Sequence, residues 1–205
     1  MKRRAKIVML AFLLFPMAMA TLIPFSGNVA SAAGDSGKNA AIEKIVSYLK
    51  GRKVNMKEDE LKDVVHTVFD QSRQRDLDYR LALAVIKVES NFRQNVVSKG
   101  AHGLFQIKPS TARYIAKDAG VDCAGPKCLH EPDKNIKLGV YHLSKLVEDF
   151  KSVPTALHAY NAGARKARRQ DPDKDEPSTP FIRSVLKEYK KNLSTLPDMD
   201  EVDSQ

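Results

Sequence analysis

Apolar residues along this chain recur at helical spacing and almost nowhere alternate, a pattern that predicts helices joined by turn-rich loops. A first amphipathic stretch runs from Ala41 to Lys50 and stops at Gly51. Leu61, Val64, Val65, Val68 and Phe69 mark the next helix, and Asn55 followed by Glu58 has the form of a capping box ahead of it. Asp78 can cap a third helix, in which Leu81, Ala84, Val85 and Val88 share a face with Leu83 and Ile86 beside it. Being apolar on most sides, that helix should lie deep. A polar segment from Ser90 to Pro109 follows, broken by Gly100, Gly103 and Pro109. Ser110 to Lys117 then reads as a short helix closed by Gly120. Asp133 can cap a longer one reaching Phe150, with Ile136, Val140, Leu143, Leu146 and Val147 inward. Ser152 or Val153 ahead of Pro154 starts another, which ends near Asn161-Ala162-Gly163. After a charged loop from Asp171 to Pro177, Thr179-Pro180 opens a last helix with Ile182, Val185, Leu186 and Tyr189 inward. The expected class is all-α.

A length of 205 residues supports one respectable core. The N-terminus does not belong to it. Lys2, Arg3, Arg4 and Lys6 precede a mainly apolar run, Ile7 to Phe25, and the small residues Ala30-Ser31-Ala32-Ala33 follow, the layout of a secretory signal. The run is long and contains Pro16 and Pro24, so an uncleaved anchor is the alternative. Residues 1–32 hold four of the 34 Lys and Arg and none of the 25 Asp and Glu, so the remainder carries +5. Such a mild excess suits an anionic polymer such as a cell wall and serves solubility equally. No motif supports nucleic-acid binding. In an exported chain Cys123 and Cys128 read as a local disulfide, a staple of about 2 kcal/mol for one loop. The five histidines, His66, His102, His130, His142 and His158, show no ligand spacing around that pair, and no metal or other cofactor is expected. The acidic end, Asp198 to Gln205, reads as disordered.

Glu89 stands out for its chemistry. It follows the apolar run Leu81 to Val88 at a helix C-terminus, where the negative end of the dipole and poor hydration both disfavour a carboxylate. A carboxyl group kept protonated near neutral pH is what a glycosidic leaving oxygen needs as a general acid. Position alone fits a solvated helix-end Glu as well.

The neighbouring residues carry more. Glu89-Ser90 with Phe92, then Ser98-Lys99-Gly100-Ala101-His102-Gly103-Leu104-Phe105-Gln106-Ile107-Lys108-Pro109-Ser110-Thr111-Ala112, then Asn135-Ile136 with Gly139 and Leu143, then Ala159-Tyr160-Asn161-Ala162-Gly163, resemble in order and spacing the motifs of the lytic transglycosylases related to goose-type lysozyme. The resemblance covers about residues 77–190. It implies a lysozyme-like helical domain with a groove for glycan strands. Together with the patterns above, the chain is expected to divide into a signal or anchor (1–32), a lead-in (33–54), a catalytic domain (55–192) and an acidic disordered tail (193–205).

The resemblance also implies a reaction. Such enzymes cut the MurNAc-β-1,4-GlcNAc bond without water: one glutamate protonates the leaving oxygen, then takes the proton of the muramic acid 6-hydroxyl as it closes a 1,6-anhydro ring. Glu89 inherits both roles. Near the motifs, Glu131 and Asp133 are the nearest candidates for a second acid, and Asp133 is more simply explained as a helix cap. Ser90 would orient Glu89 or simply cap its helix; Gly103 would let backbone approach the sugar or serve turn geometry. Gln106 corresponds to a substrate-facing glutamine, Tyr160 to a support for the glutamate and Asn161 to a ligand of an N-acetyl group. Tyr189 resembles a terminal tyrosine that reaches the glutamate and reads equally as a core aromatic. Phe105 stands where many relatives carry Met. Glu176 does not align with the family's acidic residue ahead of the last helix, and neither His102 nor His158 receives a role.

Hydrolysis by the same fold, as in a muramidase, and a non-catalytic peptidoglycan-binding assembly protein remain the alternatives. The expected partner is the peptidoglycan strand, met by a monomer in the periplasm or cell envelope, either in general wall turnover or beside an envelope-spanning assembly. Membrane contact is expected only if the N-terminal segment is retained.

Overall fold

A computed structural model describes residues 29–169 and 176–203. Most of the signal or anchor segment, and residues 171–175 of the charged loop, lie outside them. The described chain is all-α apart from one small hairpin: α1 (Val29–Gly51), α2 (Glu58–Gln74), α3 (Tyr79–Glu89), β1 (Val97–Ser98), β2 (Ala101–His102), α4 (Pro109–Ile115), a 3-10 turn (Pro126–His130), α5 (Pro132–Phe150), α6 (Val153–Ala162), α7 (Ala164–Ala167), α8 (Pro180–Leu193) and α9 (Met199–Asp203). Among the described residues no helix is long and apolar enough to cross a membrane.

Helix α3 lies deep, as its sequence requires: every residue from Tyr79 to Ile86 is buried. Helix α8 packs on α3, α5 on α2, and α6 on α5, so one core is shared among them. Asp78 caps α3 by accepting from the Arg80 amide at 2.8 Å. The same carboxylate binds the Arg80 guanidinium through Nε and Nη2, both at 2.9 Å, and accepts from the Tyr189 hydroxyl at 2.8 Å. Losing a cap and a partly buried charge partner together, Asp78→Ala should cost about 2 kcal/mol. Urea unfolding followed by circular dichroism would measure it.

Several expected boundaries shift. Helix α1 begins at Val29, well ahead of Ala41. Asn55 caps nothing: α2 opens at Glu58 behind Lys57 without a side-chain cap, and Glu58, Asp59 and Glu60 complement its dipole instead. Asp133 sits inside the first turn of α5, after Glu131 and Pro132, and pairs with Lys137 at 2.7 Å. Ser152 and Thr179 do cap α6 and α8. The acidic tail is not disordered over its described part, because its apolar residues find the core and one acid finds a cation. Leu196 and Val202 are buried, Asp198 pairs with Arg80 at 2.7 Å, and Tyr79 donates to the Pro197 carbonyl at 2.7 Å. Cys123 and Cys128 form a disulfide with Cα atoms 5.5 Å apart.

Candidate active site

Glu89 is the last residue of α3. Burial pushes its carboxyl up to about 7, and among the described residues no ion pair or hydrogen bond compensates its charge. The helix end reinforces the effect, since the outgoing carbonyls are negative there. Ser90, which was expected either to orient Glu89 or to cap the helix, does the latter: its buried hydroxyl donates to the Ile86 carbonyl at 3.1 Å. Asn91 and Phe92 then take left-handed backbone, with φ of 52° and 62°, and Phe92 is buried, so the chain leaves α3 by a sharp turn anchored in the core.

That turn leads into the hairpin β1–β2, closed by Lys99-Gly100 with φ of 50° and 74°, as a two-residue turn with positive φ demands. Beyond it, Gly103 has φ 77°, and a Cβ there would run into the Asn135 side chain and the Leu129 carbonyl oxygen. The bareness of Gly103 therefore serves packing and turn geometry, and its side faces protein where a sugar had been the alternative. Asn135 is buried and spends its whole amide on this loop: Oδ1 accepts from the Phe105 amide at 2.8 Å, and Nδ2 donates to the carbonyls of His102 and Leu129 at 3.0 and 2.9 Å. Gly139 leaves room for the Phe105 ring. Sequence reading found Asn135 and Gly139 as motif positions without a role; three backbone groups converging from distant residues leave no local trace.

Gln106, at φ 48°, donates from Nε2 to the carbonyls of Val96 and Gly103 at 3.0 and 2.8 Å. Its remaining polar atom, Oε1, has no hydrogen bond among the described residues, and the residue lines an open groove of about 480 Å³. Tyr160 lines the same groove and donates to the Phe105 carbonyl at 2.7 Å. Burial holds its phenol far from ionisation, and the charge of Glu89 adds to this, which sets the two side chains as neighbours. Asn161, exposed at the end of α6, is on the groove wall, as are Lys108 and Tyr114. His142, which carried no expected role, lines it too; its ring lies 5.4 Å from that of Tyr160, and burial lowers its pKa to about 4, so it is neutral at ordinary pH.

Tyr189 does not reach Glu89. Its hydroxyl is bound to Asp78 at the other end of α3, about 15 Å of helix rise away. The reading as a partly packed core aromatic is the one the structure supports. His102 Nδ1 and His130 Nε2 share a hydrogen bond of 3.1 Å, His158 is buried, and Glu176 accepts from the Ser152 hydroxyl at 2.8 Å on the surface. Among the described residues no group of His, Cys, Asp or Glu is assembled as a metal would require.

Known proteins resemble this chain in sequence and fold. The chain superposes on the X-ray structure of an inactive mutant of the lytic transglycosylase Slt from Pseudomonas aeruginosa with a TM-score of 0.55 and 26% identity, over 66% of this chain and 26% of that one. It is 36% identical over 100 residues to the soluble lytic murein transglycosylase of Salmonella typhimurium, covering 47% of this chain and 16% of the relative. Over 102 residues it is 34% identical to the transglycosylase of Enterobacteria phage PRD1, covering 49% of this chain and 35% of that protein. The chain thus spans about a third or less of the length of these relatives. A model of the Transglycosylase SLT domain matches residues 66–179, more than half the chain, and reaches from α2 through the groove to the cap of α8. The chain belongs to the Transglycosylase SLT domain family.

Proposed function

We propose that this protein is a peptidoglycan lytic transglycosylase that acts in the cell envelope and cleaves MurNAc-β-1,4-GlcNAc bonds to leave 1,6-anhydromuramic acid ends. The observation that carries the reading is Glu89, a largely buried carboxyl poised near pH 7, with Tyr160 of the groove wall as its neighbour. A relative named for murein, 36% identical where it aligns, supports the choice of polymer.

A group with a pKa close to ambient pH can both give and take a proton. Protonated Glu89 delivers its proton to the glycosidic oxygen as the C1–O bond breaks, releasing GlcNAc with a free 4-hydroxyl. The carboxylate then accepts the proton of the muramic acid 6-hydroxyl while O6 bonds to C1, which returns Glu89 to its starting form. No water is consumed, so no second carboxylate is needed to activate one. Glu131 and Asp133, the candidates for a second acid, are paired with Lys134 and Lys137 at 2.8 and 2.7 Å. Burial is the main cause of the raised pKa of Glu89, and the end of α3 adds to it.

Mass spectrometry of muropeptides released from purified sacculi tests the proposal. Products lighter by one water than reducing muropeptides, and resistant to borohydride, are expected. Reducing muramic acid ends would identify the protein as a hydrolase.

A further inference from the structure

Tyr114 is the most exposed large apolar side chain among the described residues, at 86%. The inward face of α4 is complete without it, since Ala112 and Ile115 are buried at 2% and 5%. A phenol ring left so bare contributes nothing to the core and keeps apolar surface in water. The ring is not isolated on a convex face, however. It lines the same groove as Gln106, Tyr160 and Asn161, where α4 supplies one wall and the end of α6 another.

We infer that Tyr114 is a stacking platform for a sugar ring of the bound glycan strand, an assignment that rests on the function proposed above. A pyranose presents an apolar C–H face and a polar rim, and this part of the groove offers the complement of both. The phenol supplies a flat apolar surface. Ser110, Thr111 and Asn161 around it supply donors and acceptors for hydroxyl and acetamido groups. Lys108, exposed on the same wall and without an ion pair among the described residues, adds a positive charge for a carboxylate on the strand. Ring stacking fits an aromatic that already stands free of its own fold, because it meets the ligand without unpacking anything.

Binding without cleavage isolates the effect. The Glu89→Gln protein, titrated by calorimetry with peptide-free glycan strands released from sacculi by an amidase, provides the reference affinity. Adding Tyr114→Ala should weaken binding about tenfold, whereas Tyr114→Phe, which keeps the ring face, should bind as the reference does. All three should melt together, since the side chain is 86% exposed. Equal affinity of the Ala and reference proteins would overturn the platform alone. Failure of the reference protein itself to bind the strands would overturn the glycan reading beneath it.

Discussion

Glu89→Gln is expected to slow release of soluble muropeptides by about 10³- to 10⁴-fold, because one side chain is asked to act first as acid and then as base. Gln copies the shape of the carboxyl and can do neither. The substitution should also remove a pH-dependent strain. The folded protein holds the Glu89 proton up to about pH 7, against an ordinary value of 4.5. A carboxyl whose pKa is raised by folding favours the fold fully below its unfolded value, and that advantage is lost as pH rises through the folded value. Wild-type protein should therefore lose on the order of 3 kcal/mol between pH 4.5 and pH 8 through this group. The Gln variant should lack that component and be the more stable protein at pH 8. Chemical denaturation at both pH values measures it, and turnover of labelled sacculi measures the rate. Cleavage within about tenfold of wild type would place the catalyst elsewhere.

Gly103→Ala should be the most damaging single methyl in the loop. The position has φ 77°, which costs an L-residue roughly 1–2 kcal/mol. Its Cβ would also be driven into the Asn135 amide and the Leu129 carbonyl, neither free to withdraw because they are bonded to each other. Overpacking of this kind adds about 1–3 kcal/mol, so a total near 3–4 kcal/mol is expected. Activity should fall with it, since Asn135 also fixes the Phe105 amide, and the Phe105 carbonyl receives Tyr160. Thermal melting reads the first effect and sacculus turnover the second. A variant that melts like wild type would show that the loop can shift.

The contrast between α3 and its surroundings shows what the sequence makes legible. The helix, its depth and its Asp78 cap follow from residues within a few positions of one another, and so does the desolvation of Glu89. The lengths of α5 and α6 are legible for the same reason, through their apolar period and the Ser152 cap. What escapes is set by partners far along the chain. Tyr189 turns to Asp78 across 111 positions, and Leu196 and Val202 hold the acidic tail to a core that no local pattern announces. The capping signals at Asn55 and Asp133 are sound local chemistry, yet α2 and α5 begin elsewhere, with acidic first turns supplying the negative charge. Ser90 and Gly103 occupy motif positions, and motif spacing cannot say whether such a residue faces a ligand or the chain itself. Tyr114 and His142 belong to no motif, and only the fold brings them to the groove.

The amide of Gln106 has a consequence for what the groove will admit. Both of its hydrogen-bond partners are carbonyl oxygens, which fixes the nitrogen toward the loop and leaves the oxygen facing out. At that point the wall offers lone pairs and no hydrogen. A visitor must bring its own O–H or N–H, as a sugar hydroxyl or an acetamido group can. A carboxylate set there would meet oxygen against oxygen, so the backbone of the loop, by occupying one end of a side chain, acts as a filter on the polarity of the ligand.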